Sequence, residues 1–470
     1  MSRPSPPEPY AIGRRTLLAG GAAALLAGCG VPRLPGLPQS QGTKPDPTAP
    51  PARVRLDKLW DTGGIGTVDD AAPAGDVVVV SGGLKGGQKI PFLADIAAFG
   101  LTDRKRIWTS QTVNRQLATI DPTLSVSDGQ VVCETDSNAI VTVPTYQNPC
   151  PGGKGSCSTA ETTRTDGKGL TAIRAADGRL LWHNLLLPAV PRSDPRARQR
   201  DDESVQVIAG DATRVLYIAG ALDVVVGGEA PRSGQRIWTG LLDAATGKEL
   251  WRVDDTKGKY LAGDVVLVDL VHEGQGDGAE NDHGPVAALD AGTGRQLWST
   301  RGTDSQRGRW IFGASGLAGL ETQKSDGGYR ADLLLDPRTG ATRYTEKRVM
   351  MAAAAGIGPG GALMAVWFSP DSGIFAGSDD HLRSWAGGGP LRTGTQKLSD
   401  SPTLSGTLVA GGRIWATHSD YAGATNANRV AALDLWGRQL CDPVPGQACG
   451  AGTDHLVVLG DESATVYKVS

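Results

Sequence analysis

The chain has no adjacent cysteines and no C-x-x-C pair, so a vicinal disulfide and the usual zinc-ribbon spacing are both out of reach. No G-x-S-x-G elbow follows a strand, and the 6 histidines fall into no assignable hydrolase triad. Charge of one sign is missing too. The sequence carries 47 basic and 50 acidic side chains, a net of −3, and it stays mildly acidic without residues 1–28. Such a balance speaks against nucleic acid as a partner. Past residue 28 no apolar run is long enough to span a bilayer, and no helical periodicity is found.

What is present is a repeat. Leu242-Asp-Ala-Ala-Thr-Gly-Lys-Glu-Leu-Trp251, Leu289-Asp-Ala-Gly-Thr-Gly-Arg-Gln-Leu-Trp298 and Ile173-Arg-Ala-Ala-Asp-Gly-Arg-Leu-Leu-Trp182 share one template, with looser copies ending at Trp108 and Tyr344. An apolar strand runs into a D-x-x-T-G turn, and a second strand then ends on an aromatic. Asp and Thr can bond the local backbone, and Gly supplies the positive φ of a tight corner. The 65 glycines suit a chain of many such turns. A period near 47 residues with this content predicts a β-propeller, whose four-stranded blades bury their faces only against one another. Trp60, Trp108, Trp182, Trp251, Trp298 and Tyr344 are the expected plugs between blades.

Degraded copies follow at Leu382–Arg392 and at Ala432–Cys441, the latter with Cys in the Trp position. The final 29 residues hold two strand-like runs, but no outer strand and no Trp. Val54–Trp60 is an outer strand with no blade before it. The two ends are therefore expected to share one blade, for eight in all, or seven if the copy near Leu382 is not a blade. Phrases such as A-A-L-D-A-x-T-G-x-x-L-W resemble the repeat of pyrroloquinoline-quinone-type propellers across nearly all of residues 53–470. That superfamily includes quinoprotein dehydrogenases and the Bam-complex lipoprotein of bacterial outer membranes. Its dehydrogenases hold their cofactor on a Trp floor under a vicinal disulfide, with calcium on carboxylate and amide ligands. This chain lacks the disulfide, and no Glu…Asn…Asp set can be matched. No cofactor is expected, and a quinone-dependent oxidoreductase is the alternative reading.

Residues 1–28 read as an export signal. Arg14-Arg15 precedes a short apolar stretch, as in twin-arginine signals, although Gly13 stands where Ser or Thr is usual. Leu26-Ala-Gly-Cys29 resembles a lipobox, which makes Cys29 the expected acylation site. Residues 29–52 are Pro-rich and read as a tether. The expected location is the extracytoplasmic side of a bacterial membrane, reached through the lipid anchor only.

In an oxidising compartment Cys150 with Cys157, and Cys441 with Cys449, read as local disulfides, while Cys133 reads as a small buried residue on a strand. The loop His272–His283 gathers Asp277, Glu280, Asp282 and His283, besides His272 and Glu273, but misses the calcium-loop pattern. It reads chiefly as a solvated loop, with a metal site as the alternative. Surplus residues fall in Pro144–Gly169, Gly227–Gln235, His272–Gly284 and Thr417–Asn428, between second and third strands, and in Pro191–Glu203, between blades. Second-to-third and blade-to-blade connections emerge on one face of a propeller. That face is expected to dock a protein partner of the cell envelope, with the chain a monomer and a non-catalytic scaffold.

Overall fold

The repeat folds as its period requires: each copy is a four-stranded antiparallel sheet, and eight sheets follow one another. The computed structural model describes residues 52–84, 95–110, 124–127, 129–136, 167–188, 203–221, 236–271, 284–301, 307–323, 329–347, 350–358, 363–370, 380–386, 392–393, 402–420 and 427–470. Strands are lettered A to D within each blade. Blade 1 is Asp70–Ala74, Val77–Gly82, Asp95–Gly100 and Arg106–Thr109; blade 2 is Leu124–Ser127, Gln130–Asp136, Lys168–Arg174 and Leu180–Leu187. Blade 3 is Ser204–Gly210, Arg214–Gly220, Ile237–Asp243 and Glu249–Asp254; blade 4 is Thr256–Ala262, Val265–Leu270, Val286–Asp290 and Gln296–Ser299. Blade 5 is Arg307–Ala314, Leu317–Gln323, Tyr329–Leu335 and Thr342–Glu346; blade 6 is Met351–Ile357, Leu363–Pro370, Asp380–Ala386 and Arg392–Thr393. Blade 7 is Pro402–Ala410, Arg413–Asp420, Ala427–Leu433 and Val444–Pro445. Blade 8 takes Gln447–Ala451, His455–Leu459 and Ala464–Val469 from the C-terminus and Leu56–Asp61 from the N-terminus.

Closure is explicit in the register: Leu56 lies opposite Val469 and Asp61 opposite Thr465. Each A strand touches the A strands of both neighbouring blades, and that of blade 1 meets that of blade 8, so the ring is complete. The molecule is an eight-bladed β-propeller. The copy near Leu382 is a true blade, although Trp385 sits in its C strand and its D strand shrinks to two residues.

Among the described residues the large apolar clusters lie between blades rather than within them. Each of the eight main clusters of buried side chains straddles two consecutive blades, for example Val79, Ile96 and Trp108 of blade 1 with Val131, Cys133 and Ile173 of blade 2. The plugs seal these seams by hydrogen bond as well as by area. Indole Nε1 donates to the first residue past the Asp position of the next blade's turn: Trp60 to Leu101 O (2.8 Å), Trp108 to Ala175 O (2.7 Å), Trp182 to Ala244 O (2.7 Å), Trp251 to Ala291 O (2.9 Å) and Trp298 to Pro337 O (2.9 Å). The receiving turn is held open by its own polar groups. Asp243 Oδ1 accepts from Thr246 N (2.8 Å) and Thr246 Oγ1 (2.6 Å), and Gly247 takes φ 68°. A Cβ on Gly247 would lie 2.5 Å from the Trp182 ring, so this glycine serves both the turn and the plug. Where the template is looser the chemistry is exchanged. Blade 2 has Arg174 bonded to Asp177 in place of Asp and Thr, and blade 1 puts Arg104 at φ 60° where the others use Gly.

Two expectations need correction. Cys441 and Cys449 are free thiols, not a disulfide. Cys441 fills the plug position between blades 7 and 8, its Sγ accepting from Ala432 N (3.2 Å), whereas the Cys449 thiol bonds Val457 O in the seam between blades 8 and 1. The spacer between them spans a blade boundary and carries the two sulfurs to different seams. Likewise half of Thr417–Asn428 is strand, and only residues 421–426 connect B to C there. Cys150 and Cys157 lie outside the described residues. Cys133 is fully buried on strand B of blade 2, and desolvation pushes its thiol up to about 12.

Candidate functional site

The two faces of the ring differ in their connections. On one face the A–B links are short, such as Gly75–Asp76, Gly263–Asp264 and Gly411–Gly412, and the C–D turns are the template turns. On the other face the B–C links run over 137–167, 221–236 and 271–285, and a D–A link runs over 188–203. These are the blades in which the surplus was expected, and the flanking strand ends place all of these links on one face. Most residues of the long links, including Asp277, Glu280, Asp282 and His283, lie outside the described residues.

The short-turn face is tied together. Arg214 Nη2 donates to Gly263 O of the next blade (2.9 Å) and Arg413 Nη1 to Thr453 O (2.8 Å). The chain's N-terminal segment joins on this face, since a D strand begins where a C strand ends. There Arg55 N donates to Ser470 O (2.9 Å) and Val54 N to Leu440 O (2.8 Å). The N-terminal end of the described chain and the long links therefore lie on opposite faces.

Nearest the axis, the A strands carry charges that are already engaged. Lys259 pairs with Asp269 (3.1 Å) and Arg309 with Glu321 (2.6 Å), each between strands A and B of one blade. Tyr260 donates to Ile311 O (2.8 Å), and burial pushes its phenol up to about 12. On the long-link side Glu134 accepts Val207 N across a seam (3.1 Å), and the Lys168 ammonium bonds Glu203 O. His183 Nδ1 meets Thr171 Oγ1 at 3.0 Å. Burial lowers the pKa of both His183 and His418, which favours the neutral imidazole.

Asp269 and Glu321, on the B strands of blades 4 and 5, are held by cations of their own blade, and among the described residues no three His, Cys, Asp or Glu side chains gather around a common point. Among the same residues no helix is long and apolar enough to cross a membrane.

One feature escaped the sequence. Tyr344 holds the plug position of blade 5, and the C–D turn of blade 6 that it would face lies outside the described residues. Buried Glu346 gathers the seam: it accepts from Trp367 Nε1 of blade 6 (3.4 Å) and Tyr344 Oη (3.3 Å), and pairs with Arg383 of blade 6 (3.4 Å). Tyr344 and Trp367 rings lie 5.7 Å apart. The legible signal was a coincidence, the loss of Trp in one blade beside the loss of D-x-x-T-G in the next.

No family model matches the sequence, and no curated protein matches it. Solved structures similar in fold include "BamB from Moraxella catarrhalis", at 14% identity over 88% of this chain and 98% of that one, with a TM-score of 0.38. They also include quinohemoprotein alcohol dehydrogenase from Comamonas testosteroni, at 12% identity over 88% of this chain and 76% of that one, with a TM-score of 0.44. A europium-containing methanol dehydrogenase is similar at 14% identity over 88% and 84%, with a TM-score of 0.42. The similar structures thus include both a Bam component and enzymes.

Proposed function

We propose that the chain is an exported lipoprotein, acylated at Cys29, whose non-catalytic propeller is a protein-binding scaffold on the extracytoplasmic side of a bacterial membrane. The observation that carries this reading is the polarity of the ring. The tether joins on the short-turn face, and the long links leave from the opposite face, over blades 2 to 4. A partner docking on those links would meet them on the side away from the anchor. A rigid scaffold with its length variation confined to one face is the usual arrangement for recognition by loops. Engaged axial charges support binding rather than turnover.

The test is deletion of Ser156–Thr165 in the full chain, with the fold checked by near-ultraviolet circular dichroism, followed by cross-linking and purification from native membranes. The scaffold reading expects specific envelope partners to be lost. Unchanged recovery of the same partners overturns the placement of the docking face. A quinone absorption band in protein incubated with pyrroloquinoline quinone and calcium would overturn the non-catalytic part.

A further inference from the structure

The outer strands carry a second periodic feature. In blades 8, 1, 2, 3 and 4 the residue just before the plug Trp is aliphatic, and it occupies a β-bulge. Lys58 opposes Tyr467 and Trp60 opposes Val466, which leaves Leu59 unpaired; Ile107, Leu181, Leu250 and Leu297 are bulged out in the same way. A bulge turns its side chain out of the regular alternation. The result is unusual exposure for large apolar groups: Leu59 37%, Ile107 43%, Leu181 41% and Leu250 48%, with Leu297 half-buried.

Cations accompany them. Lys105, Arg179, Lys248 and Arg295 stand three residues before the plug in blades 1 to 4 and are exposed, and Lys58 is exposed in blade 8. In blade 5 the corresponding residues are Ala341 and Arg343, so the pattern stops there. In blades 1 to 4 these positions follow the C–D turn, and in blade 8 they pair with strand C at the same level as their counterparts, so all lie toward the rim of the short-turn face. The N-terminal segment joins the ring on that face, within the same arc, at Leu56 of blade 8.

We propose that this arc is a membrane-contact rim, which seats the propeller on an anionic lipid surface through bulged aliphatic side chains set among Lys and Arg. Interleaved cations and aliphatic groups suit the headgroup–acyl boundary, where both can be satisfied at one depth. Charge selects an anionic surface, and the place where the N-terminal chain joins selects a lipid one. The rim goes beyond the anchor: it orients the ring, short-turn face down and long links outward. The acyl group at Cys29 serves only to bring the rim to the bilayer.

The experiment uses the full chain in vesicles of phosphatidylcholine, with and without phosphatidylglycerol, and amine-reactive footprinting read by mass spectrometry. Lys105 and Lys248 report the rim, and exposed Lys347, in the blade 5–6 link on the opposite face, is the control. Anionic lipid is expected to lower labelling of Lys105 and Lys248 about fivefold, the equivalent of about 1 kcal/mol per cation near such a surface, and to leave Lys347 unchanged. Ile107→Glu with Leu250→Glu should abolish the protection. Should that pair disturb folding, Lys105→Glu with Arg295→Glu, at exposed positions, should do the same when read at Lys248. Equal labelling on the two vesicle types overturns the rim, as does protection seen only when membrane proteins are present, which would make the occupant a protein. The mass of the Cys29 peptide from the same digest separates the readings. Acyl without protection removes the rim and keeps the anchor, and protection without acyl keeps the rim and removes the anchor.

Discussion

Gly247→Ala tests whether the turn glycines are there for the plug or only for the turn. Gly75 and Gly247 both have positive φ, 63° and 68°. A Cβ on Gly75 meets nothing within 4 Å, whereas on Gly247 it falls 2.5 Å from the Trp182 ring. Gly75→Ala should therefore carry only the cost of a left-handed alanine, about 1 kcal/mol after the loss of unfolded-chain freedom is credited. Gly247→Ala should add overpacking of about 1–3 kcal/mol against a ring that cannot withdraw. Withdrawal is blocked because Trp182 is 7% exposed and its indole is bonded to Ala244 O at 2.7 Å. The assay is urea unfolding of both variants, repeated in a Trp182→Leu background, as a double-mutant cycle. The excess should vanish when the ring is gone, which gives a coupling of about 1–3 kcal/mol. Equal costs for Gly75→Ala and Gly247→Ala, or an excess that survives Trp182→Leu, would refute the idea that the turn of one blade is shaped by the plug of the last.

Three other outcomes follow from the geometry. Trp60→Ala removes a plug that belongs to the closure itself, so it should cost about 3–5 kcal/mol. It should also raise amide exchange in Ala464–Val469 before that of blades 3 and 4. Glu346→Ala leaves Arg383 partly buried without its carboxylate and should cost about 3–5 kcal/mol in chemical unfolding, whereas a surface ion-pair loss would cost under about 1. In acid, hydroxyl bonds from Thr246 and Thr293 hold the Asp243 and Asp290 carboxyls below their ordinary pKa, and Arg174 holds Asp177 down to about 2. Depressed carboxylates contribute stability above their unfolded pKa and lose it as pH falls through the folded value. Unfolding midpoints should thus be level above about pH 5 and fall between about pH 4 and pH 2, less steeply in Asp243→Asn.

The blade count and the clasp were legible because the repeat is periodic and one missing strand at the C-terminus matches one spare strand at the N-terminus. Leu56 opposite Val469 answers that bookkeeping directly. The side of the ring that carries long links was legible for the same reason, since interval lengths assign surplus to links. Cysteine chemistry was not. A short turn-rich spacer between Cys441 and Cys449 suggests a local loop, but the first lies in the last link of blade 7 and the second in strand A of blade 8. Sequence distance says nothing about which seam a side chain enters. The Glu346–Arg383 seam was hidden because its members come from two blades and share no motif.

One decapeptide makes both the seams and the rim, and this bears on how the rim should be read. The sealed seams belong to blades 8, 1, 2, 3 and 4, the same blades whose bulge residue is aliphatic. Exposed leucines could then be mere passengers of a repeat kept for its Trp. Burial argues otherwise, because the indole and its turn carbonyl need nothing from the bulged side chain, and in blade 5 Arg343 takes that place with no loss of strand pairing. A charged residue is thus structurally acceptable at the bulge. An exposed edge would gain from it, since charge on outer strands discourages edge-to-edge association. Aliphatic groups retained on one continuous arc, on the face where the tether joins, are better explained by something that covers them there.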